Sequence, residues 1–261
     1  MSIYTSIEKH EIHCAKRYLD YTETEHYRAF RDKYNPNCYG ANYAVLKSCA
    51  DTQATFAAVE AFFAWRDEAP VSFRAAPDAV YLVEAMRVFS QYGYVIKPYH
   101  TTQMQLTAQP DQDLHILPCA TKCIDGVSMW PERPLMKEAF GDAAEHEMRF
   151  ADTRLQGGGK AFFAYNKAGV PVSVCTGEGY GSAFAITQVY TPAPCRRQGC
   201  ATAAVSAALQ HAKQNGYTDV FLSTDDKNAI ALYRRLGFRG KQAERYWACK
   251  GEVPAWIAAL P

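Results

Sequence analysis

From residue 160 onward, apolar residues switch between the two-residue period of a strand and the 3.6-residue period of a helix. That order constrains the fold more than any other feature. "KAFFAYN" and "VPVSVCT" read as two strands joined by the turn "KAGV", and "SAFAITQVY" reads as a third, reached through "GEGYG". A helix is expected from Arg197 to Gln214, with Val205, Leu209 and Ala212 on one face and Asn215-Gly216 as its stop. "YTDVFLST" is a short buried strand, after which Asp225 and Asp226 offer N-caps to the helix "KNAIALYRRL". Gly237 closes that helix, and "ERYWACK" is strand-like. Strand, helix, strand, helix, strand after an antiparallel meander predicts an α/β domain on a mixed sheet.

The N-terminal half carries a fainter copy of this ending. "VEAMRVFSQYGYVI" set beside "KNAIALYRRLGFRG" aligns Val88 with Leu232, Phe89 with Tyr233, Gly93 with Gly237 and Tyr94 with Phe238. A strand-like stretch precedes each copy, "APVSFRA" in one and "TDVFLST" in the other, and an apolar helix precedes that, "AAVEAFFAWRD" in the first. Two related units are therefore expected, with a boundary in "PDQD" that divides the chain into 1–110 and 111–261. "RLQGGGK" reads as a loop within the second.

Lys plus Arg number 28 against 27 for Asp plus Glu, so the net charge of +1 provides no basic field for nucleic acid. No apolar run reaches the roughly 20 residues of a membrane span, and "MSIYTSIEKHEIHC" is too charged for a secretory core, so a cytoplasmic protein with no membrane partner is expected. The nine cysteines lack paired C-x-x-C spacing and read as reduced thiols. His10, His13 and Cys14 read as chance neighbours in a polar segment, and no metal is expected.

"CRRQGCATAAV" is the feature that calls for a ligand. A helix start carries partial positive charge and unpaired N–H groups, which normally recruit an acid or a cap. Here Arg196 and Arg197 add positive charge, and no carboxylate stands between Glu178 and Asp219. Gly199 leaves room for close approach, and the amides of residues 198–202 point out of the helix end, as in a phosphate cradle. A small-residue helix packed on a sheet, with two solvated arginines, fits these residues equally well. There is no G-x-x-x-x-G-K-[ST], and "GEGYGS" precedes a strand, which counts against a nucleoside triphosphate or dinucleotide site and leaves "GEGYG" as a turn.

"VYTPAPCRRQGCA", the strand "DVFLST" and "AIALYRRLGF" together resemble the GNAT superfamily of N-acetyltransferases, whose signature Q/R-x-x-G-x-G/A is met by Arg196, Gly199 and Ala201. The resemblance covers residues 160–250, and a tandem arrangement with a degenerate N-terminal copy is familiar within the superfamily. It implies acetyl-CoA as co-substrate. Its pyrophosphate would lie on the amides of Arg197, Gln198, Gly199, Cys200, Ala201 and Thr202, and its pantetheine along Val189, Tyr190 and Thr191. The family's Asn before the second helix is Asp226 here, with Asn228 close by, and either could contact the pantetheine.

An amine must lose a proton before it attacks a thioester. Glu178 is the candidate base, with Gln188 or Tyr180 positioning water, although a lone Glu beside glycines also reads as an exposed turn residue. A departing thiolate needs an acid. Tyr233 is the candidate, although the residues alone favour a core aromatic and it is the resemblance that raises the catalytic reading. Phe89 stands at its place in the first copy, which also lacks the cradle. That half then supports the second and walls an acceptor pocket, unless Tyr39, Tyr43, Phe62, Phe63 and Trp65 are simply core. The expected function is acetyl transfer to a primary amine of a small molecule or peptide by direct transfer in a ternary complex. A catalytically silent acyl-CoA-binding or sensing protein is the alternative, and a covalent acyl carrier on Cys195 or Cys200 is a third reading.

Overall fold

A computed structural model describes residues 3–64, 72–74, 82–108, 119–125, 132–141 and 144–250. Trp65 and the expected boundary at 110–113 lie outside them. Along the chain the elements are α1 (Ile3–Ala15), β1 (Asp20–Glu23), β2 (Tyr27–Arg31), β3 (Tyr43–Leu46), α2 (Thr52–Phe62), β4 (Ser72–Arg74), α3 (Leu82–Gln91) and β5 (Tyr94–Leu106). There follow β6 (Ala120–Asp125), α4 (Arg133–Phe140), α5 (Ala144–Gln156), β7 (Lys160–Tyr165), β8 (Pro171–Tyr180), β9 (Ala183–Tyr190), α6 (Cys200–Gln214), β10 (Asp219–Thr224), α7 (Lys227–Arg235) and β11 (Phe238–Lys250).

Where the sequence suggests one cut in the chain, the compact units interleave. One comprises Met1–Tyr18 with Thr102–Gln242, the other Leu19–Thr101 with Ala243–Pro261. Helix α1 thus belongs with the C-terminal elements, and β5 and β11 each supply residues to both units.

In the first unit β6, β7, β8 and β9 form the antiparallel meander, and β10 joins β9 in parallel. Along β7, Ala161 and Phe163 enter one apolar cluster while Phe162 and Ala164 enter another. The strand is buried on both faces, which is why "AFFA" is continuously apolar instead of alternating. On one face α6 lays down Ala203, Ala204, Val205, Ala208 and Ala212, all fully buried, and these small side chains bring the helix axis close to the sheet. Fully burying each of Phe162, Phe163 and Phe184 contributes about 1.5–3 kcal/mol.

Two local readings change. "GEGYG" is not a turn: β8 runs through Gly177, Glu178 and Gly179 to Tyr180 before the chain reverses. Those glycines answer to packing, because a Cβ at Gly177 would lie 2.5 Å from the Phe184 ring and one at Gly179 would lie 2.1 Å from the Tyr217 hydroxyl. The helix expected from Arg197 begins at Cys200, because Arg197 (φ 63°) and Gly199 (φ 81°) are left-handed.

The second unit repeats the helix, strand, helix, strand order as α2, β4, α3, β5 against α6, β10, α7, β11. The aligned pairs keep their geometry: Phe89 meets Tyr94 edge-on at 5.6 Å, and Tyr233 meets Phe238 edge-on at 5.9 Å. Phe56, Phe73, Phe89, Tyr94 and Tyr246 form an aromatic core there. Tyr43 and Phe63 are buried, Phe62 packs against that core, and Tyr39 is half-buried.

Candidate functional site

The site of interest is a split in the sheet. β10 pairs with β9 only through Asp219↔Ala183, Val220↔Phe184 and Phe221↔Ala185, while its remaining residues Leu222–Thr224 continue against β5. β9 instead stays with β8 as far as Val174↔Tyr190. The β9 edge from Ile186 to Tyr190, half-buried beyond Ile186 apart from the exposed Thr187, therefore turns backbone donors and acceptors toward the split, where an extended partner could pair with them. Within it lies a bulge. Thr176 faces Gln188 but Gly177 faces Ile186, so Thr187 is the extra residue, and bulges re-aim the strand they interrupt.

β9 leads through Thr191 and a short turn at Ala193–Cys195 into α6. The first turn of α6 has no acidic residue and no side-chain cap, which leaves the amides of Cys200, Ala201 and Thr202 as donors without partners inside the helix. Arg196 Nε donates to the Thr191 carbonyl at 3.0 Å and Gln198 Nε2 to the Pro194 carbonyl at 2.8 Å, so both side chains brace the turn. Arg196 and Arg197 are exposed. The corresponding helix of the second unit, α2, begins at Asp51 (φ 47°), which puts a carboxylate where α6 has glycine.

Helix α7 follows β10. Asp226 caps it, its Oδ1 accepting from the amides of Asn228 at 2.6 Å and Ala229 at 2.9 Å, so that carboxylate is committed locally. The Asn228 side chain is exposed. Tyr233 is 5 % exposed, and burial, then the neighbouring Cys175 and Asp226, push its phenol up, so it holds its proton throughout the neutral range. Burial and then Cys119 push the Cys200 thiol up to about 11, above the ordinary thiol value despite its place at the helix end.

Glu178 is 2 % exposed. Arg154 of α5 donates Nε to its Oε1, Tyr18 donates its hydroxyl to Oε2 at 3.3 Å, and Arg17 stands 3.5 Å from Oε2. His10 of α1 holds the Glu178 carbonyl at 2.8 Å. Burial pushes the carboxyl up, but the Arg154 charge and hydrogen bond, with His10 and Arg17, outweigh it and hold the group below the ordinary carboxylate range. A carboxylate so held is a weak base. As placed, it ties α1 and α5 to β8. Arg154 also donates Nη2 to Thr187 at 2.8 Å, and Thr187 meets Thr176 at 2.8 Å, so the cluster reaches the bulge. A small, half-open pocket lies over it, lined by Arg154, Leu155, Lys160, Thr176, Glu178 and Gln188 among others. Tyr180, at the far end of β8, stacks on His13 at 4.2 Å.

The sequence names the β9 edge, the helix start and Tyr233 as candidates, but not Arg154, Arg17, Tyr18 or Thr187, which the structure gathers around Glu178 and Arg154. No periodicity or motif marks them. Their roles come from elements up to 168 residues apart, as with His10 and Glu178.

Residues 128–238 match the sequence model of the acetyltransferase (GNAT) family. No curated protein matches the chain. Among solved structures, a GCN5-related N-acetyltransferase from Kribbella flavida superposes with a TM-score of 0.70 at 19% identity, covering 97% of each chain. One from Sphaerobacter thermophilus gives 0.56 at 19% identity, covering 86% of this chain and 76% of that one. A tandem GNAT protein from the clavulanic acid biosynthesis pathway gives 0.55 at 14% identity, covering 87% of this chain and 79% of that one. At these identities the structural likeness speaks for the fold.

Proposed function

We propose that residues 128–238, which match the acetyltransferase (GNAT) family model, carry out acyl transfer, and that this protein moves the acetyl group of acetyl-CoA to a primary amine on a small molecule or peptide, within a ternary complex and in a cytoplasmic setting. The observation that carries this reading is the sheet split between β9 and β10, with the uncapped, acid-free start of α6 following β9. Acetyl-CoA would supply an activated acyl group, and the donors at this split suit it. Amides from Arg197 to Thr202 would hold the pyrophosphate, with Arg196 bracing their turn through the Thr191 carbonyl, and the open β9 edge at Val189 and Tyr190, with Thr191 just beyond it, would pair with the pantetheine amides. Asp226 is spent on the α7 cap, which leaves Asn228 as the side chain offered to the pantetheine.

Tyr233 Oη keeps its proton at neutral pH and gives it to the departing thiolate. Glu178 serves as an anchor. Its negative charge fixes Arg154, and through Arg154 the Thr187 bulge, while water held by Gln188 takes the proton of the attacking amine. The test is thiol release from acetyl-CoA across a panel of primary amines. Amine-dependent release with an acetylated product supports the reading. Acetyl-CoA binding without turnover on any amine overturns it in favour of a silent coenzyme-binding protein.

A further inference from the structure

Cys119 and Cys200 lie 81 residues apart in sequence, yet their sulfurs come to 3.5 Å. Cys119 stands immediately before β6, half-buried against the apolar cluster beneath α6. Cys200 is the first residue of α6 and is 5 % exposed. A disulfide has an S–S distance of about 2.05 Å, so the sulfurs must close by roughly 1.5 Å for the bond to form. We propose that Cys119 and Cys200 are a reversible thiol–disulfide site at the head of α6, closed by low-molecular-weight disulfides such as oxidised glutathione.

The more accessible Cys119, as thiolate, attacks one sulfur of the small disulfide, forms a mixed disulfide and releases one small thiolate. Cys200 loses its proton to solvent and attacks the Cys119 sulfur, which forms the internal bond and expels the second small thiolate. Two protein thiols lose two electrons and two protons, and one small disulfide becomes two small thiols. Burial pushes the Cys200 thiol up to about 11, so this second step is the slower one. Its rate rises about tenfold per pH unit between pH 7 and 9 as the thiolate fraction grows. Closure ties the first amide donor of α6 to β6. Its effect on the coenzyme rests on the cradle reading above.

The full-length protein is equilibrated with oxidised glutathione, its remaining thiols are alkylated, and its peptides are mapped by mass. The expected result is a Cys119–Cys200 cross-linked peptide, lighter by two hydrogens than its reduced parts and opened by dithiothreitol. Cys119→Ser removes the cross-link and keeps the thermal melting of the parent. Recovery of both cysteines as alkylated thiols, or glutathione adducts confined to the exposed Cys123 and half-buried Cys195, overturns the proposal. Acetyl-CoA titration of both forms reads the consequence. An affinity at least threefold weaker in the oxidised form is expected, and equal affinities overturn the coupling. Absence of binding in both forms counts against the cradle reading instead, while the peptide map still decides the cross-link.

Discussion

Replacing Glu178 with Gln keeps the side-chain shape and an oxygen for Arg154, but it removes the negative charge that faces both Arg154 and Arg17. Glu178 is 3 % exposed at its side chain against 20 % for Arg154 and 32 % for Arg17, so the arginines keep some water when the pair is broken. Breaking a fully buried pair costs about 3–5 kcal/mol, and the partial exposure of the cations places the cost here near the lower end, about 3 kcal/mol. For a unit of this size that is a fall in Tm of roughly 6–12 °C. The folded-state pKa of Glu178 lies below its unfolded value. Its contribution is therefore fully present above roughly pH 4.3 and is lost as the pH falls through the lower folded value. Urea unfolding of both proteins at pH 7 should show the full gap, and the gap should narrow as the pH is taken toward 3. Arg154→Met should cost a similar amount alone, and the double variant should cost less than the two singles added. Turnover per folded molecule of Glu178→Gln should stay within about tenfold of the parent, short of the 10²–10⁴ that a general base supplies. A variant within about 0.5 kcal/mol of the parent at pH 7 refutes the anchoring argument.

Gly199→Asp tests the cradle, because Asp tolerates a positive φ and would set a carboxylate on the α6 donors; folding should be kept, while acetyl-CoA affinity measured by calorimetry should fall at least tenfold. The same titration on the parent should saturate near one coenzyme per chain, since Asp51 stands at the start of α2 where a second pyrophosphate would need to lie, and two per chain would contradict the reading. Tyr233→Phe preserves ring packing against Phe238, so stability should hardly change, whereas steady-state turnover should fall roughly 10²-fold where chemistry limits the rate; more than about half of parental turnover would make Tyr233 a packing residue.

Much of the fold is legible in the sequence because its causes are short-range. Apolar patterning and run length distinguish β7, β8 and β9 from α6 and α7 within windows of ten residues or so. The left-handed positions at Gly199, Gly216 and Gly237 mark where the chain must turn. The same locality makes the head of α6 readable, since a helix end without an acid is a property of one segment, and it makes the match of Phe89 with Tyr233 readable as an internal repeat. What the sequence left open depends on distant contacts. Glu178 could be an exposed turn residue or a base until α1 and α5 close over it, and only then do Arg154, Arg17 and Tyr18 make it a buried, paired anion. Asp225 and Asp226 both offered a cap, and in the fold it is Asp226 that closes the start of α7. The assignment of α1, and of parts of β5 and β11, to their units depends on which partners each finds in three dimensions, as does the meeting of Cys119 with Cys200. Pattern and propensity act over a few residues, whereas the burial and pairing of charge are decided by whatever the folded chain brings alongside.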